Sequence, residues 1–215
     1  MAKKLHTLIV GPFEVNCYLY WDQKTLDGVI IDPGAEAEGI IREVENEGFT
    51  PRAILLTHGH GDHIAAVAEV KAKYDIPLYI GAGEEDLLAN PSANISAYFD
   101  QPIVAPPPDH SVNDEDVVKT GSLIFRVLST PGHTRAGVCF LDETEGLLFT
   151  GDTLFAGGIG RTDLPGGSYN LLIESIRQKI LALPDSVVCL PGHGPGTTVG
   201  AERTGNPFLT GGHFA

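Results

Sequence analysis

The chain is poor in positive charge: 14 Lys and Arg stand against 28 Asp and Glu, a formal net charge of −14. A surface with that balance repels phosphate backbones and anionic lipid headgroups, so neither nucleic acid nor a membrane is expected as a partner. Long apolar runs are missing too. The Lys-Lys tip is followed only by Leu8 to Val10 before Gly11-Pro12, far short of a secretion-signal core or a membrane span. A cytoplasmic chain is the expectation. Cysteine is scarce: Cys17, Cys139 and Cys189 are odd in number, widely spaced and set in apolar stretches. That excludes a disulfide framework or a CxxC site and predicts three buried small hydrophobes. Neither a Ser/His/Asp nucleophile set nor a short internal repeat can be traced.

What is present suffices for a core. Of 215 residues, 42% are hydrophobic and 20% charged, which is not the composition of a disordered polyelectrolyte. At about 150 residues per domain the length corresponds to roughly 1.4 domains, and a single domain over 1–215 is the expectation. Strand-length apolar runs recur at 8–10, 16–21, 28–31, 53–56, 78–80, 123–128, 138–141, 147–149 and 187–190. Helical spacing of apolar residues marks 37–47, 64–74 and 171–183, the last ended by Pro184. Strands in this number, with helices between some of them, predict a layered α/β fold whose sheets are covered by outer helices. The stretch 81–116 is weakly periodic and rich in proline, which reads as a long irregular connection, a functional rim or a moving segment. Tyr98 and Phe99 within it are candidates for a pocket wall, local packing being the other reading.

The chemistry lies in Thr57-His58-Gly59-His60-Gly61-Asp62-His63, where an apolar strand ends and a helix begins. Two histidines one residue apart point the same way on extended backbone, so His58 and His60 can chelate one ion. Asp62 and His63, turned by the helix start, can face a second. Three more potential ligands, His133, Asp152 and His193, each follow an apolar strand with a glycine directly before them. That repeated design places them along one edge of the sheets. Five histidines and two aspartates exceed what one tetrahedral ion can use, so two divalent ions are implied. Nitrogen and oxygen ligands without thiolate suit Zn, Fe or Mn. His6, His110 and His213 lack such a setting and read as ordinary surface or hydrogen-bonding residues.

These motifs resemble the metallo-β-lactamase superfamily, and the likeness runs from Asn16-Cys17-Tyr18 and Asp32-Pro33-Gly34 to Asn206-Pro207-Phe208-Leu209. The resemblance implies a four-layer αββα sandwich. It also implies that His58, His60 and His133 hold the first ion, that Asp62, His63 and His193 hold the second, and that Asp152 bridges them. Thr150-Gly151-Asp152 to Gly160-Arg161 and Pro191-Gly192-His193-Gly194-Pro195 are most similar to glyoxalase II, above all to its short bacterial forms. The implied activity is hydrolysis of a thioester such as S-lactoylglutathione by a metal-bridging hydroxide, with Asp62 as the catalytic carboxylate that orients it. Longer glyoxalase II enzymes carry a C-terminal helical domain that grips glutathione. Only 22 residues follow His193, so no such substrate domain is expected. Arg161 stands where those enzymes have a basic residue against the substrate carboxylate; pairing with Asp163 is the alternative role. Gly160-Arg161-Thr162-Asp163 also resembles the persulfide dioxygenases, which would place one iron on His58, His133 and Asp152. True β-lactamases generally lack a bridging aspartate at position 152, and the RNA-processing nucleases fit poorly with a charge of −14. A non-enzymatic metal module is the third class, disfavoured because seven ligands around an open bridge are costly to keep for structure alone.

Overall fold

In the computed structural model, which describes residues 3–98 and 102–211, the first half of the chain builds one sheet and the second half another. The first contains, in spatial order, β1 (Lys3–Val10), β2 (Val15–Asp22), β3 (Asp27–Ile31), β4 (Thr50–Leu55), β5 (Leu78–Gly81) and β6 (His110–Val112). β1 to β3 form an antiparallel meander and β3 to β6 run parallel. Parallel pairing needs a return crossover, supplied by α1 (Ala37–Glu47), then by α2 (Gly61–Ile64) with α3 (Val67–Tyr74), then by the connection bearing α4 (Glu85–Ala89). The second sheet contains β7 (Val117–Thr120), β8 (Leu123–Ser129), β9 (Val138–Asp142), β10 (Leu147–Gly151), β13 (Val188–Pro191) and β14 (Thr197–Thr198). Between β10 and β13 lie the small ribbon β11 (Leu154–Phe155) and β12 (Gly158–Ile159) and the helix α5 (Tyr169–Ser175); α6 (Val199–Gly205) follows β14.

Side chains alternate across each strand, and this alternation makes the layers. On β2, Tyr18 and Tyr20 point between the sheets, where they meet Phe125, Phe140 and Phe149. Tyr18 and Tyr20 pack edge-on against Phe149, with ring centroids 5.4 and 5.6 Å away. Cys17, Leu19 and Trp21 point the other way, under Ile40 and Val44 of α1 and Val67 and Val70 of α3. On the far side Cys139, Leu141, Leu148 and Cys189 pack beneath Leu172, Ile173, Ile176, Ile180 and Val199. The result is helix, sheet, sheet, helix: the four-layer αββα sandwich expected. All three cysteines are buried and unpaired, as their apolar settings predict. No helix among the described residues is long and apolar enough to cross a membrane.

Three expectations about elements change. The 64–74 helix is two pieces, because the Ala66 N–H leaves the helical ladder to donate to the Pro33 carbonyl at 3.0 Å. The 171–183 helix starts at Tyr169 under a Ser168 cap and ends as a π-helical turn over Ile176–Ile180. The stretch 81–116, read as an irregular connection, is interrupted among its described residues by three short elements: α4, a 3₁₀ turn at Ser96–Tyr98 and β6. Its organiser is the buried Asn94, whose amide donates to the Leu87 and Ile103 carbonyls at 2.7 and 3.1 Å. Phe99 lies outside the described residues.

Candidate metal centre

Each residue singled out in the sequence sits where a strand releases the chain. β4 leads through Leu56 and Thr57 to His58; His60 is extended at φ −65° and ψ 149°, and Asp62 and His63 occupy the turn of α2. His133 follows β8, Asp152 follows β10 directly, and His193 follows β13. Two of the preceding glycines are demanded by space. Gly151 lies at φ +48° with a notional Cβ 2.1 Å from Thr57 Oγ1, and a Cβ on Gly192 would stand 2.3 Å from Asp152 Oδ1. A larger residue would press on Thr57 at the first position and on Asp152 and His63 at the second.

The fold brings all seven side chains together as two clusters. In the first, His60 Nδ1 faces His133 Nε2 at 2.9 Å, and the His58 ring centre lies 4.8 and 4.9 Å from theirs. In the second, Asp62 Oδ2 lies 3.4 Å from His193 Nε2 and 3.8 Å from His63 Nε2. Asp152 stands between them, 3.6 Å from His133 and 3.5 Å from both His63 and His193. His58, His60 and His63 Nε2 and Asp152 Oδ1 are buried with no hydrogen-bond partner. Buried polar atoms in folded proteins are nearly always satisfied. Inward-facing orphan nitrogens and a carboxylate oxygen are what a pair of divalent cations would complete, so the donor set fits the metals expected.

Electrostatics divide the clusters. Burial, reinforced by neighbouring imidazoles, pushes His58 well below its ordinary basicity and holds His60 at about 3. Both rings are neutral, the form that binds a cation. Burial also opposes charge on His63 and His193, but the carboxylates of Asp152 and Asp62 outweigh it. His63 is raised well above its ordinary value and His193 to about 10. Asp62 and Asp152 are buried as well, yet the charge on His63 and the contacts from His193 keep both below the usual carboxylate range.

A second layer of residues, not assigned a role from the sequence, orients these ligands. Asp32 accepts from the Thr57 N–H at 2.8 Å, the Thr57 hydroxyl at 2.7 Å and His63 Nδ1 at 3.1 Å, which aims His63 Nε2 inward. Its backbone is left-handed at φ 49°, a strained conformation held by these bonds. Glu84, fully buried, accepts from the Gly59 N–H at 3.1 Å and the Ala136 N–H at 2.8 Å, tying the His58–His60 loop to the loop after His133. Asn16 donates to the carbonyls of Pro191 and Gly194, and His193 Nδ1 donates to the Phe13 carbonyl at 2.8 Å. His133 Nδ1 donates to the Arg161 carbonyl at 2.8 Å. For Asp32 a signal existed: it too directly follows an apolar strand. Glu84 had none.

Arg161 is engaged by its side chain as well. It forms a two-point pair with Asp163, Nε to Oδ1 at 2.9 Å and Nη2 to Oδ2 at 2.8 Å, on the exposed rim. Of the remaining histidines, His6 contacts Glu43 and Glu47, and His110 stacks on Tyr79. His213 lies outside the described residues.

A family model for the metallo-beta-lactamase superfamily matches residues 10–193. The probable metallo-hydrolase YqgX of Bacillus subtilis is 42% identical, across 97% of this chain and 98% of that protein. The hydroxyacylglutathione hydrolase GloC of Haemophilus influenzae is 41% identical, across 93% and 95%. Among solved structures, the BLEG-1 B3 metallo-beta-lactamase superposes with a TM-score of 0.93 at 42% identity, over 96% of this chain and 100% of that one. A di-iron-bound form of TTHA1623 superposes at 0.86 and 36%, over 95% and 100%. The chain belongs to the metallo-beta-lactamase superfamily.

Proposed function

We propose that this member of the metallo-beta-lactamase superfamily is a metal-dependent thioester hydrolase of the glyoxalase II type, with S-lactoylglutathione the first substrate to test. The observation that carries the reading is Asp152, within 3.6 Å of imidazoles in both clusters, which gives a two-ion site a shared carboxylate. His58, His60 and His133 would hold one ion, Asp62, His63 and His193 the other, and Asp152 both. The likeness to GloC supports a thioester as substrate, and the likeness to a di-iron protein keeps Fe beside Zn and Mn as candidates. The net charge of −14 favours a small-molecule substrate over nucleic acid or a membrane surface.

Bound there, divalent ions supply Lewis acidity that lowers the pKa of water to about 7. The protein's own residues do the rest. Asp62, kept anionic by its neighbours, accepts a hydrogen bond from the attacking water and receives its proton. The water oxygen bonds to the acyl carbon, the C–S bond breaks, and sulfur leaves as a thiolate. A thiol of pKa about 8.5 departs with little need of a general acid. The buried imidazoles, locked by Asp32, Arg161 O and Phe13 O, fix the positions against which the carbonyl is aligned.

Protein freed of metal by chelation should lose hydrolysis and regain it with Zn, Mn or Fe; full hydrolysis without metal would refute the reading. His193→Ala decides against the one-iron persulfide dioxygenase alternative. A hydrolase should drop from about two ions towards one and lose most activity, whereas a dioxygenase would keep its iron and its oxygen uptake with glutathione persulfide. The likeness to BLEG-1 favours one further reading, β-lactam hydrolysis, which shares the attack on an acyl carbon. Turnover of a chromogenic cephalosporin in preference to thioesters would establish it.

A further inference from the structure

Beside Asp62 opens a cleft of ≈ 560 Å³, within the range of about 300–1,000 Å³ typical of small-molecule sites. Pro12 and Phe13 from the β1–β2 loop, Ala35 from the loop before α1, Ala65 at the end of α2, and Ile103 form its walls, with Tyr98 at the rim. Asp62 is the sole charged residue among the described residues lining it. The wall is fastened to the metal centre: the Phe13 carbonyl accepts from His193 Nδ1, and the Gly11 N–H donates to Glu36 Oε1 at 2.9 Å.

A thioester has two halves, and the cleft discriminates between them. Its walls offer the carboxylates of a carrier such as glutathione no cation among the described residues, and the Glu36 carboxylate stands at its edge. Apolar walls instead gain from desolvating hydrocarbon. Arg161 adjoins the other cluster through the bond from His133 to its carbonyl, with its guanidinium on Asp163. We propose that the cleft receives the acyl half of the substrate, and that this enzyme prefers thioesters whose acyl group is an apolar alkyl chain or an aryl group. The assignment rests on the acyl-hydrolase reading above and deepens it.

The test uses metal-loaded enzyme and acyl thioesters of one neutral carrier, N-acetylcysteamine, from acetyl through octanoyl, with phenylacetyl alongside. Each methylene buried should raise kcat/KM about fourfold until the cleft is full. Ala35→Phe, which puts a ring into the cleft from its wall, should flatten that series. Phe13→Ala, a change at a half-exposed side chain that leaves the carbonyl to His193 in place, should reduce its slope. Thioester hydrolysis that is indifferent to acyl length in the wild type overturns the assignment while leaving the hydrolase intact. Failure to hydrolyse any thioester would sink the hydrolase reading, and the cleft is then judged by binding alone. S-alkyl thioethers of the same carrier should then bind the metal-loaded protein more tightly with chain length by calorimetry, and equal affinity for methyl and octyl overturns the assignment.

Discussion

The two ligand clusters are built from the same imidazole chemistry, yet they hold protons in opposite ways. His58 and His60 stand among other rings in a nearly dry pocket, and burial keeps them neutral. His63 and His193 stand against Asp62 and Asp152, and those carboxylates keep them charged in the metal-free protein. The first cluster therefore meets a cation ready to bind, whereas the second must surrender protons first. The imidazoles are alike on both sides; the nearest carboxylate decides.

The largest effect is expected where the distinction disappears. Asp152 reaches rings of both clusters, so Asp152→Ala should bring bound metal below one ion per chain and lower hydrolysis by at least about 100-fold. Retention of two ions, measured by elemental analysis, would show that the clusters do not share it. Asp62→Ala should act on one side only, lowering kcat by about 10²–10⁴-fold with little change in KM. A change confined to KM would remove Asp62 from the chemistry.

The outer residues offer a matched pair. Asp32 aims a ring of the second cluster, and Glu84 ties together the loops of the first. Asp32→Asn should weaken the second ion, and Glu84→Gln the first, each by about 10- to 100-fold in stepwise metal titrations. Equal loss of both ions in both variants would contradict two separately supported sites.

Protons sharpen the comparison further. His193 is raised from its ordinary 6.5 to about 10, so its pairing stabilises the metal-free fold fully below pH 6.5 and the gain is lost as pH rises towards 10. The lowered Asp62 and Asp152 contribute above the usual carboxylate range, and their gain is lost as pH falls through their depressed values. The depressed His58 and His60 oppose folding below pH 6.5, where the unfolded rings take up protons, so metal-free protein should resist urea best near pH 6.5 and weaken on either side of it. At pH 7, Zn binding should release more protons from the second cluster than from the first, as read with a pH indicator in weak buffer. Equal release at each step would erase the asymmetry. The smallest effect belongs to the rim: Arg161→Ala breaks an exposed pair with Asp163 and should shift stability by no more than about 1 kcal/mol. A KM increase of tenfold for anionic thioesters would instead give Arg161 a substrate contact.

Much of this was legible before the fold. Helix 37–47 coincides with α1 because Ile40 and Val44 repeat at helical spacing over a free-standing amphipathic face. The inner and outer faces of β2 follow from alternation alone, since a period of two sends Tyr18 and Tyr20 one way and Leu19 and Trp21 the other. β1 is longer than its apolar run because Lys3 to Thr7 lie on a half-exposed edge strand, where polar side chains break the hydrophobic signal. β6 and α6 were invisible because they are short: β6 is held by its pairing with β5, and α6 buries a single apolar side chain, Val199.

From residue types, spacing and glycine-flanked strand ends, the sequence by itself determined the layered class and singled out the seven candidate ligands, because those properties are local. Only the tertiary structure decided that Asp32 meets His63, that Glu84 meets Gly59 and Ala136, and that Arg161 turns to Asp163. It alone also set which imidazoles are charged and opened an apolar cleft against Asp62. The reason is physical: hydrogen-bond partners, burial and charge neighbours are properties of space, and residues 31 or 52 positions apart leave no mark on one another's local pattern.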